Sequence, residues 1–328
     1  MSASAEPVVA GKRFSSRDAV NTVIRYSMVI VLLVVIAFFA IRMPRFMTLQ
    51  NWQTILTAAA PFALIALGQT LVILTGGIDL SVGSDIALAA MVSAWCALHL
   101  QTPLLVTVLI ALGVGLVAGA INGLVVSRVN VPPFVATLGM MTLASGLAYV
   151  VGGGAPINGL PSNFGAIANT TIFGLRIPVF LMIIGIVGFG LMMRRTAYGL
   201  RIYAVGGNEL AAKIAGIKTR GILFSVYTIS GALAGLSGIM LASRTINGAP
   251  TTGSGYELDA IAAVVIGGAS LSGGRGTVWG TAIGLFLIQI LNNGLDILTV
   301  PSYWQQVIKG ALIVIAVAID VWATHRRN

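Results

Sequence analysis

The stretch LTGGIDLSVGSDIALAA, from Leu74 to Ala90, lies between two apolar runs that are each long enough to cross a membrane. It contains Asp79 and Asp85, two of the nine acidic residues in the chain. Its glycines let the backbone reverse direction, and Asp79 or Ser81 can cap the helix that follows. The stretch therefore predicts a polar turn between two membrane-spanning helices.

The composition is that of a membrane protein. Of the 328 residues, 57% are hydrophobic and only 9% are charged, with a mean hydropathy of +0.97, whereas about 25% of the residues of a soluble domain are charged. The single cysteine, Cys96, has no partner for a disulfide. The formal charge of +10 does not indicate nucleic-acid binding, because the basic residues lie between apolar runs rather than along one face.

Apolar runs recur from residue 26 almost to the C-terminus, and backbone groups in lipid must be satisfied within a helix. We therefore predict an all-α polytopic membrane protein. It has about ten transmembrane helices, at residues 26–43, 54–75, 82–98, 103–126, 133–151, 178–193, 222–243, 258–270, 277–292 and 304–322.

The orientation follows from the basic residues. On the ten-helix model, most of the 19 lysines and arginines fall on the side of the N-terminus, which by the positive-inside rule is the cytoplasm. Both termini are then cytoplasmic. The predicted organisation is a tail at 1–25, one transmembrane domain at 26–323 with a long cytoplasmic loop at 194–221, and a tail at 324–328.

The eighth apolar run is short, which predicts a broken or re-entrant helix. The sequence that ends it, VIGGASLSGGR at 265–275, is similar to LTGGIDLSVGS. Gly76-Gly77 aligns with Gly267-Gly268, and Leu80-Ser81 aligns with Leu271-Ser272. Paired glycine-interrupted segments in two halves of a transporter indicate its pathway, so we place four residues near an inner gate: Asp79, Ser81, Ser270 and Ser272.

The sequence carries no catalytic, metal or phosphate-binding motif. The two histidines, His99 and His325, fall on opposite predicted surfaces. The glycine-rich run at 267–277 lacks the Gly-Lys-Ser/Thr of a phosphate loop. We therefore predict no enzyme activity, no metal site and no cofactor on this chain.

The groups deep in the predicted spans are neutral, which suits an uncharged polyhydroxylated solute. Alternatively, these amides and hydroxyls only tie helices together. The groups are Gln69, Thr70, Asn122, Ser225, Tyr227, Ser230, Gln289, Asn292 and Asn293. Asn122, Asn292 and Asn293 are candidate pathway residues.

The cytoplasmic loop at 194–221 contains a predicted short helix. Asn208 can cap it, Glu209 lies in its first turn, and Gly216 can end it in a left-handed conformation. One face is apolar and comprises Leu210, Ala211, Ile214 and Ala215. Such a helix can dock a soluble partner or lie on the membrane surface.

Five stretches resemble one family: the membrane-spanning permease subunits of ABC sugar importers for ribose, xylose, arabinose and galactose, and in particular the ribose-type permeases. These stretches are 76–84, 121–141, 203–217, 255–281 and 291–298. The resemblance implies inward transport of a monosaccharide, a pentose or hexose and most simply ribose. ATP hydrolysis on a separate subunit would drive it.

The resemblance also implies the partners. They are an ATP-binding subunit with two fused halves that holds ATP and Mg, a periplasmic sugar-binding protein, a second permease copy or a paired permease, and lipid of the bacterial cytoplasmic membrane. The loop residues that match the family's coupling helix, which favours the docking role, are Gly206, Gly207, Asn208, Glu209, Ala212 and Gly216.

On the predicted outer face, Arg42, Arg45, Arg176 and Arg244 are candidates for docking the binding protein, with anchoring to lipid headgroups as the alternative. Two other functions stay open from the residues. A channel-like facilitator would need no ATP, and a membrane enzyme for lipid-linked sugars would need an acidic or histidine cluster at one interface, which the sequence lacks.

Overall fold

The computed structural model of the chain describes residues 16–325, so the parts of the predicted tails at 1–15 and 326–328 lie outside the described residues. The described chain is helical apart from one small hairpin. Its helices are α1 (Ser16–Arg42), α2 (Leu49–Leu74), α3 (Val82–His99), α4 (Leu104–Ser127), α5 (Pro133–Val151), α6 (Ala166–Asn169), α7 (Ile177–Arg195), α8 (Ala197–Gly207), α9 (Glu209–Ile214), α10 (Thr219–Thr245), α11 (Tyr256–Ile266), α12 (Val278–Ile297) and α13 (Ser302–His325).

The hairpin and a short 3₁₀ turn lie between α5 and α7. The turn covers Ser162–Gly165, and strands β1 (Thr171–Ile172) and β2 (Leu175–Arg176) pair antiparallel. Phe173 and Gly174 connect them with φ angles of 50° and 79°, as the tight turn of a two-residue hairpin requires. The Phe173 side chain at the tip is 97% exposed.

A polytopic helical membrane protein is confirmed, and each of the ten predicted apolar runs corresponds to a helix. Seven helices within the described residues are long and apolar enough to cross a membrane: α2, α3, α4, α5, α7, α10 and α12. The described part of α1, Ser16–Arg42, includes ten residues before the predicted span. The exact number of spans and the orientation of the termini stay predictions.

Helix α2 forms the centre of the bundle, because 89% of its apolar window is buried, against 22% for the peripheral α5. A membrane helix that is apolar on all sides can face either lipid or other helices, and α2 faces other helices on nearly all sides. α10 packs on α2, and the Ser237 hydroxyl of α10 donates to the Pro61 carbonyl at 2.8 Å. This hydrogen bond ties α10 to the middle of α2.

α4 and α10 approach backbone to backbone. Gly115 and Gly119 of α4 face Gly231 and Gly235 of α10, and a Cβ added at Gly115 would collide with the Gly231 carbonyl. Small residues four apart permit this contact between membrane helices.

The end of the bundle that carries α8 and α9 is called the inner end, and the opposite end is called the outer end. α11 reaches only part of the way between them. Its 11 residues span about 16 Å, roughly half of a 30 Å hydrocarbon core. The predicted short eighth run is therefore a half-length helix.

Two non-helical segments enter the bundle from opposite ends. Residues 75–81 enter from the inner end and lead to α3. Residues 246–255 enter from the outer end, where Gly248 pairs with Ile157, and lead to α11. The two meet where Gly83 packs against Gly253, so that a Cβ added at Gly83 would lie 2.7 Å from the Gly253 carbonyl. The N-termini of α3 and α11 are thus neighbours inside the bundle.

The two similar glycine-rich loops touch at the inner end, where the Gly274 N–H donates to the Leu74 carbonyl at 3.0 Å. Their predicted alignment is wrong by one residue. The left-handed glycines that end α2 and α11 are Gly76 (φ 80°) and Gly268 (φ 88°), which makes Gly76 equivalent to Gly268 rather than to Gly267. Each left-handed residue closes its helix with the same backbone pattern.

The prediction that Asp79 or Ser81 caps α3 is wrong, because α3 begins at Val82 and no side chain in the described structure makes a capping hydrogen bond to it. Asp79 Oδ1 accepts the Ser81 N–H at 3.0 Å, whereas the Ser81 side chain makes no capping bond to α3. The Ser81 hydroxyl is instead directed at two carboxyl groups. At the other loop, Thr277 caps α12 by accepting the Gly280 N–H at 3.0 Å.

Candidate functional site

A buried polar cluster lies where the 75–81 segment meets α4 and α10. Asp79 is fully buried and accepts three contacts: the Ser81 N–H at 3.0 Å, the Ser81 hydroxyl at 2.7 Å and the Ser230 hydroxyl at 2.9 Å. With its amide nitrogen turned toward the Asp79 backbone carbonyl, Gln69 of α2 donates to that carbonyl at 3.1 Å and accepts the Asp79 N–H at 3.3 Å. The acid is therefore held from three directions.

The Ser81 hydroxyl links two acids although it has only one proton. Its Oγ lies 2.7 Å from Asp79 Oδ1 and 2.8 Å from Asp85 Oδ2, and Asn122 Nδ2 donates to the same atom at 2.9 Å. Both carboxyl contacts are hydrogen bonds only if one carboxyl group carries a proton and donates it to Ser81.

The hydrogen bonds place that proton on Asp85. The Asp79 carboxylate accepts from three donors, which stabilises its charge. Asp85 is fully buried, its carboxyl group has Ser81 as its only hydrogen-bond partner within the described residues, and its Oδ1 has none there. A second charge there would lack compensation. Asp85 is thus a neutral acid that donates a hydrogen bond.

This cluster lies deep in the bundle. Ser230 is near the middle of the 27-residue α10, and Gly68 of α2 packs directly on it. Toward the inner end, the Tyr227 ring covers Gly77, and its hydroxyl has no hydrogen-bond partner in the described structure. The 77–81 segment and Tyr227 therefore close the space between α2, α4 and α10.

The structure brings only three of the seven candidate gate residues together: Asp79, Ser81 and Asn122. Ser270 and Ser272 lie in the inner loop, where Ser272 faces Gly76. Asn293 is at the outer end, joined to Asn51 by two hydrogen bonds of 2.9 Å.

Asn292 lies elsewhere again, beside the ion pair of Lys309 and Asp259, whose charged atoms are 2.9 Å apart. The roles of the seven residues stay predictions.

Sequence reasoning did not assign Asp85 or Ser230 to the cluster. For Asp85 there was a usable signal, because Ser81 and Asp85 are four residues apart and therefore face each other across one helical turn. For Ser230 no local signal exists, since 151 residues separate it from Asp79.

The predicted short helix in the 194–221 loop is α9. Asn208 Oδ1 accepts the Ala211 N–H at 2.9 Å, and Gly216 ends the helix with φ 83°, both as predicted. Leu210 and Ile214 are 69% and 80% exposed, whereas Ala212 on the other side is buried. The apolar face therefore points away from the protein.

α8 connects α9 to the bundle. Gly206 packs so closely against the Leu74 carbonyl and Gly274 that a Cβ would collide with both. The Tyr203 hydroxyl donates to the Gly276 carbonyl at 2.9 Å, and burial raises the pKa of this phenol, which keeps the donor protonated. A displacement of α8 would thus reach both glycine loops directly.

A cavity of about 870 Å³ separates α9 from α4 at the inner end. Thr75 to Gly77 and Tyr227 lie on one side and Glu209 on the other. Its basic residues are Arg128, Lys213, Lys218 and Arg220.

The four candidate docking arginines fall into two groups at the outer end. Arg176 on β2 and Arg244 at the end of α10 line one cavity of about 350 Å³ together with Gln50 and Gln53. Arg42 and Arg45 are exposed at the end of α1 and in the turn after it.

Comparison with known proteins gives consistent matches over most of the chain. A family model described as the branched-chain amino acid transport system / permease component matches residues 51–317. The ribose import permease protein RbsC of Escherichia coli K12 is 42% identical over 316 residues, covering 95% of this chain and 97% of that protein.

Two further relatives have similar coverage. RbsC of Bacillus subtilis 168 is 43% identical over 291 residues, covering 88% of this chain and 90% of the relative. The galactose/methyl galactoside import permease protein MglC of Escherichia coli K12 is 37% identical over 309 residues, covering 89% and 92%. No solved structure matches the chain.

Proposed function

The chain belongs to the permease-component family of the branched-chain amino acid transport systems and is a membrane subunit of an ABC importer of monosaccharides; from this premise we propose that it imports ribose or a similar pentose or hexose. It is a transport component rather than an enzyme, and it works with an ABC ATPase and a sugar-binding protein.

The exposed apolar face of α9 is the observation that supports coupling of this subunit to an ATPase. Leu210 and Ile214 project from a capped helix whose neighbour α8 contacts both glycine loops. A partner that binds α9 and displaces it can therefore move α8, and with it the ends of α2 and α11. A channel-like facilitator has no use for such a protruding helix.

In the proposed assembly, the ATPase has two fused nucleotide-binding halves and holds ATP and Mg, and two permease copies face each other in the bacterial cytoplasmic membrane. The periplasmic sugar-binding protein docks at the outer end, near Phe173, Arg176 and Arg244. Lipid covers the apolar periphery. The cluster of Asp79, Ser81 and Asn122 acts as the inner gate, supported by its burial and by its position between α2, α4 and α10.

Uptake into proteoliposomes that contain the permease, its ATPase and external sugar-loaded binding protein tests the proposal. We expect labelled ribose to accumulate only when hydrolysable ATP is enclosed with the ATPase. Liposomes with a non-hydrolysable analogue are the control. Uptake at the same rate without ATP would establish the facilitator instead.

The sugar is best identified on the binding protein, because in this arrangement it selects the solute first. Titration calorimetry with a panel of pentoses and hexoses measures its preference. We expect ribose to bind most tightly, and a preference for an unrelated solute would refute the assignment to ribose.

A further inference from the structure

We propose that the cavity between α3, α5, residues 250–254 and α11 is the site at which the sugar is held during its passage; this rests on the proposed function and adds a location to it. The cavity has a volume of about 370 Å³, within the range of about 300–1,000 Å³ of small-molecule sites. Its walls are formed by Gly83, Ser84, Ala87, Met141, Thr142, Ser145, Tyr149, Pro250, Thr251, Thr252, Ser254 and Glu257.

The chemistry of the walls fits a neutral polyhydroxylated solute. Six wall residues carry aliphatic hydroxyls, one is a tyrosine and one is a carboxylate, and no lysine or arginine is among them. Hydroxyls both donate and accept, and the carboxylate accepts from sugar hydroxyls. A phosphate or another anion would meet no basic group, so the walls select against charged solutes of that sign.

Some of the polar groups that face the cavity have no hydrogen-bond partner among residues 16–325, whereas the Ser84 and Thr142 hydroxyls donate to backbone carbonyls. Glu257 is half-buried, and its carboxylate lies against Gly83, where a Cβ would collide with it. Acidic side chains at membrane depth face the protein interior or a water-filled space, because lipid does not solvate them. The side chains of Ser145, Tyr149 and Thr252 make no hydrogen bond within residues 16–325, so a solute can use them.

The cavity lies at a position that a solute would pass on its way between the two ends of the bundle. It lies where the N-termini of α3 and α11 meet, between the segment that enters from the inner end and the one that enters from the outer end. Half-helix ends inside the bundle form the substrate sites of other transporters. Ser84 also connects the cavity to the buried acid cluster, because its hydroxyl donates to the Ser81 carbonyl at 2.8 Å.

Thiol labelling tests whether the cavity contains water. In a Cys96→Ala background, Ser145→Cys places a thiol on the cavity wall, and Leu147→Cys places one on a different face of α5. We expect a membrane-impermeant thiol reagent to label the first variant and not the second in liposomes open to both sides. We also expect saturating sugar during ATP turnover to slow the labelling. Equal labelling of both positions would overturn the proposal.

Transport measurements test whether the cavity holds the sugar. Glu257→Gln and Ser145→Ala are compared with Tyr303→Phe, a matched change on exposed α13. For Glu257→Gln we expect about a tenfold fall in sugar transported per ATP hydrolysed, the effect of one charge-assisted hydrogen bond. Stimulation of the ATPase by loaded binding protein should remain.

The failure of this inference is distinguishable from failure of the proposed function. If the wild-type protein shows no ATP-dependent uptake, the proposed function is wrong. If it shows such uptake and the cavity variants transport as much sugar per ATP as the wild type, the proposed function stands and the transit site is refuted.

Discussion

Asp85 shows how a single residue takes its chemical state from its neighbours. In the sequence it is one more acid near the end of a span. In the folded protein it contacts Ser81, whose only proton is directed at Asp79, so the contact is attractive only when Asp85 itself donates. A neutral carboxylic acid is far less costly to bury than a charged one.

This state predicts an unequal response to two substitutions. Asp85→Asn retains a donor toward Ser81 and should lower the free energy of unfolding by about 1 kcal/mol at most, the scale of one hydrogen bond. Asp85→Ala leaves Ser81 Oγ short of one donor and opens space, and should cost about 1–3 kcal/mol. Thermal unfolding in lipid nanodiscs measures both.

An infrared spectrum gives an independent check. The carbonyl band of a protonated carboxylic acid should be present in the wild-type protein and absent in Asp85→Asn. If Asp85→Asn destabilises as much as Asp85→Ala and the band is missing in the wild type, the acid is charged and the proton assignment is wrong.

At the scale of the element, the helical conformation of α9 is stabilised by the residues at its two ends rather than by its length. Its 6 residues are too few for a stable isolated helix. Asn208 caps the start, Gly216 adopts a left-handed conformation at the end, and only Ala212 is buried. The orientation of the exposed Leu210 and Ile214 therefore depends on both caps.

Substitutions at the caps of α9 should uncouple transport from ATP hydrolysis. Asn208→Pro removes the cap and the N–H that donates to the Ala204 carbonyl at 3.1 Å, and Gly216→Val strains a residue at φ 83°. Both should lower ATP-driven uptake by at least about tenfold, on loss of about 1.4 kcal/mol of coupling. The amount of protein in the membrane should not change.

Two matched variants control for general damage. Asn208→Asp retains a capping oxygen, and Gly221→Ala changes a glycine that has open space around it. Both should transport like the wild type. Normal uptake by Asn208→Pro and Gly216→Val would show that α9 does not transmit the motion.

At the scale of the whole molecule, the outer end and the inner end differ in their charged and apolar surfaces. The outer end presents Arg176 and Arg244 on one cavity next to the exposed Phe173, and the inner end presents four basic residues around a larger cavity. A partner with acidic surface patches could thus be attracted to either end, and the exposed aromatic tip distinguishes the outer one.

Charge reversal at the outer end should weaken docking of the binding protein. Arg244→Glu should reduce the stimulation of ATP hydrolysis by loaded binding protein, and more so at low salt, because exposed pairs are screened at ionic strengths near 0.1 M. Arg244→Lys keeps the charge and is the control. Equal stimulation of all three proteins at low salt would favour anchoring of Arg244 to lipid headgroups instead.

Several features of the fold could be predicted from the sequence because they depend on neighbouring residues. The length and hydropathy of each apolar run correctly predicted a helix there. The cap at Asn208 and the left-handed end at Gly216 could also be predicted, because each depends on residues within one helical turn. The half-length α11 followed from the short apolar run. The alignment of the two glycine loops is wrong by one residue because it matched residue types. The structural equivalence depends instead on which glycine has a positive φ angle.

The sequence by itself determined that this is a polytopic helical protein with a capped helix in a polar loop, since hydrophobicity and capping act over a few residues. The tertiary structure alone decided which polar residues meet. It joined Asp79 to Ser230 and Ser81 to Asn122, and it placed Asn293 at the outer end of the bundle. The physical reason is that buried helices are apolar on all sides, so periodicity does not show which face meets which neighbour. Close glycine contacts and two entering segments select those neighbours, and they involve residues far apart in the chain.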